Sequence, residues 1–252
     1  VALHETVRGW AARHSPSDVV RSLLDADAEV RPEFWGDLAA QGWLGLHVPE
    51  ELGGDGYGLP EVVVVLEELG RACTPGPYLA SALAAAVVLE SLGDPLDAAD
   101  PGAAPSESAE TLRGLVSGAL IGSVALAGSL SAEAADNGAL VVGGKVSPVL
   151  SGHLADIVVA DAQGTWVLLE RSDFEACELP SMDLTRRVAE LTVDAVIPAG
   201  RVLRGLSAAH ARDLAAVLLA ADAVGGSQWC VETAAEYAKD RRQFGRPIGQ
   251  FQ

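Results

Sequence analysis

Apolar positions recur every three or four residues over roughly the first hundred residues. They then alternate, and near the end the longer period returns. The first block predicts helices. Pro32 can open one over "PEFWGDLAAQ", with Gly42 suited to its C-terminal cap. Pro60 can open another, "PEVVVVLEELGRA". Its valines favour a strand, but Leu66 and Leu69 carry an apolar face past Glu67, Glu68 and Arg71. "GPYLASALAAAVVLESLG" is apolar nearly all round and reads as a buried helix. The Pro/Asp/Ala/Ser-rich stretch 93–110 reads as a surface loop.

From about Leu120 the reading is β. "ALVV" and "KVSPVL" flank Gly143-Gly144, which predicts a hairpin turn there. "ADIVVA" and "TWVLLE" flank "DAQG" as a second hairpin. "AELTVDAVI" alternates, with Leu191, Val193, Ala195 and Ile197 on one face, and predicts a half-buried antiparallel strand. From Ser207 a helix of about 35 residues is expected, on the order of 50 Å long. Its apolar face is expected to run through Leu214, Val217, Leu218, Ala221, Val224, Val231, Ala235 and Ala238. Gly225-Gly226 in its middle costs on the order of 2 kcal/mol against two alanines, which fits a close backbone neighbour. The fold class is therefore α+β and multidomain. It comprises an all-helical domain over 1–115, an antiparallel β domain over 116–205, and over 206–252 the first long helix of a further helical domain.

Composition narrows the chemistry. Thirty-five acids against seventeen bases give a net charge of −18, which argues against nucleic acid or an anionic membrane as a partner. Three dispersed cysteines give no disulfide framework and no CxxC pair, so a cytoplasmic setting is expected. The start reads as no signal peptide, and no uncharged apolar run approaches the roughly 20 residues of a membrane span. Several motifs fail. "GGDGYG" yields no GxGxxG, "GGKV" is no phosphate loop, "HETVR" carries Arg8 where a zincin needs histidine, and no GxSxG occurs. The five histidines form no pair at ligand spacing, read as surface or capping residues, and no metal site is expected.

What remains is the basic end, "YAKDRRQFGRPIGQFQ". Lys239, Arg241 and Arg242 can offset a helix dipole, with Gly245 and Pro247 ending the helix. Arg241, Gln243 and Phe244 can also hold a pyrophosphate while the ring covers a flat heterocycle. This stretch resembles the Tyr-Ala-x-x-Arg-x-Gln-Phe-Gly-x-Pro-Ile signature of the acyl-CoA dehydrogenase family. "GWLGLHVPEELGGDGYGLPEVVVVLEELGRA" (42–72), "LVSGALIGSVAL" (115–126) and "DLTRRVAELTVDAVIPAGRVL" (183–203) resemble other parts of that family in the same order.

The resemblance implies a helical domain, a β-barrel-like domain and a C-terminal four-helix domain. It also implies FAD, an acyl-CoA substrate, a homologous partner subunit, and electron-transferring flavoprotein as acceptor. In the family a glutamate removes the α-proton while the β-hydride moves to the flavin. By resemblance Arg241, Gln243 and Phe244 reach the FAD of a neighbouring protomer.

The sequence also departs from the family. Where a Leu-Thr-Glu-Pro-x-x-Gly-Ser-Asp loop is expected stands "AGSLSAEA" (127–134). Where Lys-x-Trp-Ile-Thr-Asn-Gly is expected stands "KVSPVLSG" (145–152), so Pro148 offers no amide and Val149 no hydroxyl. No catalytic base is visible. The family's glutamate is expected beyond residue 252, its alternative position falls near Ala215 and Ala216, and Glu232 and Glu236 read as solvated. These departures point to the less catalytic subunit of a heteromeric acyl-CoA dehydrogenase. A self-sufficient homotetramer and a non-catalytic assembly or thioester-binding module are the alternatives.

Overall fold

The computed structural model describes residues 2–24, 26–93 and 106–251. Six helices come first: α1 (Ala2–His14), α2 (Ser17–Leu24), α3 (Trp35–Ala39), α4 (Leu59–Arg71), α5 (Tyr78–Leu92) and α6 (Glu107–Val116). Strands follow: β1 (Gly122–Ala125), β2 (Gly128–Ala134), β3 (Leu140–Leu150), β4 (Ile157–Ala162), β5 (Thr165–Glu170), β6 (Phe174–Leu179), β7 (Val188–Ile197) and β8 (Val202–Leu203). The chain then enters α7 (Ala208–Asp240) and a short ribbon, β9 (Arg242–Gln243) and β10 (Arg246–Pro247).

The helices at 59–71 and 78–92 form as expected. α5 is buried from Tyr78 to Val88, as its uniform apolarity requires. Gly58 caps α4 by donating its N–H to the Glu61 carboxylate at 3.0 Å. The loop expected over 93–110 lies outside the described residues from 94 to 105. Its last part is helical, because the Ser106 hydroxyl accepts from Ala109 N–H and starts α6.

The strands form two four-stranded sheets in the orders β1-β4-β5-β8 and β2-β3-β7-β6, and they do not close into a barrel. The first sheet is mixed, with β1 parallel to β4, so the expectation of purely antiparallel strands is corrected. Its two faces differ in neighbour. Val158, Val167 and Leu169 pack on Val142, Leu191 and Val193 of the second sheet. Val159, Leu168 and Leu203 pack on the helices. Burial on both faces explains the unbroken apolar runs of β4 and β5, whereas β7 has a wet face and alternates as expected.

The hairpin over "DAQG" is present, with Gln163 and Gly164 at φ +55° and +86°. The hairpin expected at Gly143-Gly144 is not. Both glycines lie inside β3, where a Cβ on Gly144 would come 2.5 Å from the Ser129 carbonyl oxygen. The true turn precedes β3, at Asn137-Gly138 (φ +58° and +76°).

α7 is 33 residues long, close to expectation, but its buried face differs. Ala211, Leu214, Ala215, Leu218, Ala221 and Gly225 face inward, while Val217, Val224 and Val231 are exposed. The glycine pair meets the close neighbour inferred for it. Gly225 lies on the backbone of Glu67 and Arg71, and Gly70 lies on that of Asp222. By length and composition alone α7 is apolar enough to cross a membrane, although Asp213 and Asp222 interrupt it, so it holds no uncharged apolar run of about 20 residues.

Candidate functional site

The terminal ribbon is built by α7 and by two left-handed residues. Arg241 N–H donates to Tyr237 O at 2.9 Å and ends the helix, and Ile248 N–H donates back to Arg241 O at 2.8 Å. Phe244 (φ +50°) and Gly245 (φ +81°) form the tip between β9 and β10. A left-handed phenylalanine costs on the order of 1 kcal/mol, and its ring is 94% exposed. Its inner contact is an edge-to-face arrangement with Phe251, centroids 6.3 Å apart. The Arg246 guanidinium lies over Phe251 at 4.0 Å. Arg241 and Arg242 are exposed and make no ion pair among the described residues. The Gln243 amide donates to Arg242 O at 2.9 Å. The three residues singled out in the sequence thus share one exposed, basic and aromatic ribbon. It offers a planar cation to an anion and a ring face to a heterocycle.

A separate cleft of about 370 Å³ opens at the other end of α7. Residues 125–128 and Val146 form one wall, Asp161 and Trp166 a second, and Ala208 and Arg212 a third. The family-divergent stretches therefore meet here. Gly128 (φ +121°) permits the crossing of β2 on β3, since a Cβ there would come 2.5 Å from Val146 Cα. Val149 is fully buried between the sheets, and Lys145 is turned away to Glu190 at 2.5 Å. Val149 thus supplies no hydroxyl and Pro148 no amide hydrogen, so this stretch does not fit a flavin ring in the way the family pattern would, while Trp166 and Arg212 are the side-chain donors at the cleft.

One carboxylate lines the cleft, Asp161, and its Oδ1 accepts the Gly164 N–H at 2.7 Å within its own hairpin turn. Glu232 is exposed on α7 and bound by Arg71 and Gln228, which hold its carboxyl below the usual range. Glu236 pairs with Lys239. Ala215 is buried and Ala216 exposed. Asp222 is held by Arg186 at 2.5 Å. Arg212 and Asp240 lie 28 residues apart on one helix, about 40 Å at 1.5 Å per residue. The ribbon and the cleft of one protomer are therefore far apart.

Two buried groups were missed in the sequence. Glu29 accepts from Ser151 Oγ at 2.8 Å, and burial pushes its carboxyl up to about 7. Arg187 clamps the same segment, donating to the carbonyls of Ala26 and Asp27 and to Glu178. His47 is buried rather than on the surface, and neither ring nitrogen has a hydrogen-bond partner. The residues of the failed zincin motif are structural instead. His4 and Arg8 both bind the buried Glu68 carboxylate, at 3.1 Å and 2.7–2.8 Å. Among the described residues no cluster of three or more histidine, cysteine or acidic side chains could hold a metal ion.

Comparison with known proteins shows the family and the fold. Residues 1–95 match the model for the acyl-CoA dehydrogenase N-terminal domain, and residues 205–252 match that for the C-terminal domain. The acyl-CoA dehydrogenase IpdE2 of Mycolicibacterium smegmatis is 35% identical over 99% of this chain and 68% of its own length. FadE34 of Mycobacterium tuberculosis, also an acyl-CoA dehydrogenase, is 32% identical over the whole chain, which spans 33% of it. Among solved structures, the Tcur3481-Tcur3483 steroid ACAD variant superposes with a TM-score of 0.85 at 26% identity. The match covers 99% of this chain and 69% of that one. The ChsE4-ChsE5 complex of Mycobacterium tuberculosis gives 0.83 at 28% identity, with the same coverage.

Proposed function

The chain belongs to the acyl-CoA dehydrogenase family, and from that premise we propose that it is the less catalytic subunit of a heteromeric, FAD-dependent enzyme. In this reading residues 206–252 belong to the helical domain that meets the partner, residues 1–115 and 116–205 being the other two domains. Arg241, Gln243 and Phe244 serve the pyrophosphate and adenosine of FAD held mainly by the partner subunit. The observation that carries the reading is the separation along α7. The ribbon suited to a dinucleotide stands about 40 Å from its own cleft, where the family-divergent wall carries no side-chain hydroxyl and the carboxylate in the lining, Asp161, is tied to Gly164 N–H in its own turn. Two of the similar solved structures have paired names, which favours a partner from the same family.

The redox chemistry is the flavin's. The tasks of this chain's residues are local. The Arg241 guanidinium offsets phosphate charge, the Gln243 amide orients, and the Phe244 ring shields a base from water. The substrate class is an acyl-CoA thioester, and the steroid description of one structural neighbour makes a bulky acyl group the first to try. Electron-transferring flavoprotein as acceptor and a cytoplasmic setting belong to the same proposal.

The test is flavin absorbance and dehydrogenation activity of the chain alone and co-expressed with a candidate partner. Colour and activity only on co-expression, both lost in Arg241→Ala with the complex still assembled, are expected. A yellow, active lone chain would overturn the heteromeric reading.

A further inference from the structure

His47 sits in the tight loop between Trp43 and Tyr57, which is cross-tied by Asp55 N–H to Gly45 O at 3.1 Å, Gly56 N–H to Val48 O at 2.9 Å and Tyr57 N–H to Leu46 O at 2.8 Å. It is only 8% exposed, and burial pushes its imidazole down to about 4, so the ring is neutral. A neutral imidazole offers one N–H and one lone pair, and here both nitrogens are unpartnered. The ring lines a cleft of about 200 Å³ whose apolar walls are Leu59, Ala86, Leu89 and Leu214. Glu90 lines it too, and its buried Oε2 also has no hydrogen-bond partner. His210 stands at the same cleft, its Nε2 3.7 Å from that oxygen, beyond hydrogen-bonding range.

Buried polar atoms in native folds are almost always satisfied, by protein, water or ligand. Here orphan atoms from a loop and from α5 meet in a small space walled mainly by leucine and alanine, with the His210 ring beside them. This cleft shares no lining residue with the larger one. His210 and Leu214 are two positions on from Ala208 and Arg212, about 200° around the helix, so the two clefts flank opposite sides of the first turns of α7.

We propose that this cleft binds a compact apolar molecule bearing a hydroxyl group, whose O–H donates to Glu90 and whose oxygen accepts the imidazole N–H of His47. The other chemistries fit less well. A carboxylate meets Glu90 and a chain of net charge −18. A hydrocarbon leaves both polar groups orphaned, and an ammonium has no lone pair for the N–H. Water satisfies the polar groups and leaves the leucine walls wet.

The experiment is ligand-observed NMR of the full chain, free and with its partner, titrated with cyclohexanol and with its methyl ether, methoxycyclohexane. The ether keeps the ring and the acceptor and removes the donor. Cyclohexanol is expected to bind at least about tenfold more tightly, the size of one hydrogen bond to a charged acceptor. Glu90→Leu is expected to abolish that preference, and Leu89→Trp, at a half-buried position, to abolish binding of both. Equal affinity of alcohol and ether, or no binding of either to the native chain, would overturn the proposal without touching the heteromeric reading.

Discussion

Gly225 of α7 rests against the carbonyl of Glu67 in α4 so closely that a methyl group at position 225 would overlap that oxygen. One residue on, a Cβ at Gly226 would find its nearest neighbour, Gly70 O, at 3.6 Å. The two glycines look equivalent in the sequence and differ in the fold. Gly225→Ala is expected to cost about 2–4 kcal/mol, because backbone on both helices must move. Gly226→Ala is expected to be neutral or to gain up to about 1 kcal/mol from helix propensity. Urea denaturation of the two variants checks the contrast.

Glu29 sets a pH dependence. Its carboxyl is raised from an ordinary 4.5 to about 7, chiefly by burial, with the Ser151 hydrogen bond opposing. The unfolded chain therefore releases this proton first. The contribution is favourable below about 4.5 and is lost as pH rises towards 7, by on the order of 3 kcal/mol at most. Glu29→Gln should remove that slope, so the variant gains on the native chain between pH 5 and 7 and stays ahead above it. Thermal melts of both proteins across that range decide it. A constant difference would show that Glu29 ionises freely.

Arg187 fastens the segment that carries Glu29. Its guanidinium donates to Ala26 O at 2.6 Å, Asp27 O at 3.1 Å and Glu178 Oε1 at 2.7 Å. Arg187→Ala is expected to cost about 3–5 kcal/mol, since Glu178 and two carbonyls lose their donor. Lysine should recover little, because a single ammonium cannot reproduce the fork. Limited proteolysis around residues 26–31 should quicken in both variants.

Phe244 should separate stability from function. Replacing it with glycine relieves a left-handed side chain that is 94% exposed, so the isolated chain is expected to gain up to about 1 kcal/mol. The assembled enzyme should lose FAD. Melting temperature of the chain and flavin content of the complex, moving in opposite directions, are the joint readout.

Elements were legible where local pattern and burial agree. α5 is apolar all round and buried all round, and β7 alternates because one face is wet. β2 was passed over because "GSLSAEA" has little β propensity; pairing along β3 makes it a strand. Gly143-Gly144 drew the turn away from Asn137-Gly138, although Asn-Gly is the stronger signal for a primed turn. The α7 face was misjudged because valines and alanines lie on several sides, so hydropathy alone cannot orient the helix. The small residues under α4 do that.

The candidate site was legible in part. A planar cation, an amide and an aromatic within four residues stand out in any acidic chain, and the structure brings them onto one ribbon. Glu29 and His47 gave no signal, because a lone acid and a lone histidine reveal nothing until tertiary burial strips them of water.

The glycine contact also has a mechanical meaning. α7 is gripped tightly as far as Gly225 and extends about 20 Å beyond that clamp to its end, steadied on the way by the Arg71–Glu232 tie. It behaves as a cantilever with the aromatic tip as its load. A tilt of about 5° at the clamp would swing that tip by roughly 2 Å, a distance that separates a snug nucleotide from a loose one. Aim at the far end is thus governed by two hydrogen-sized side chains in the middle of the molecule.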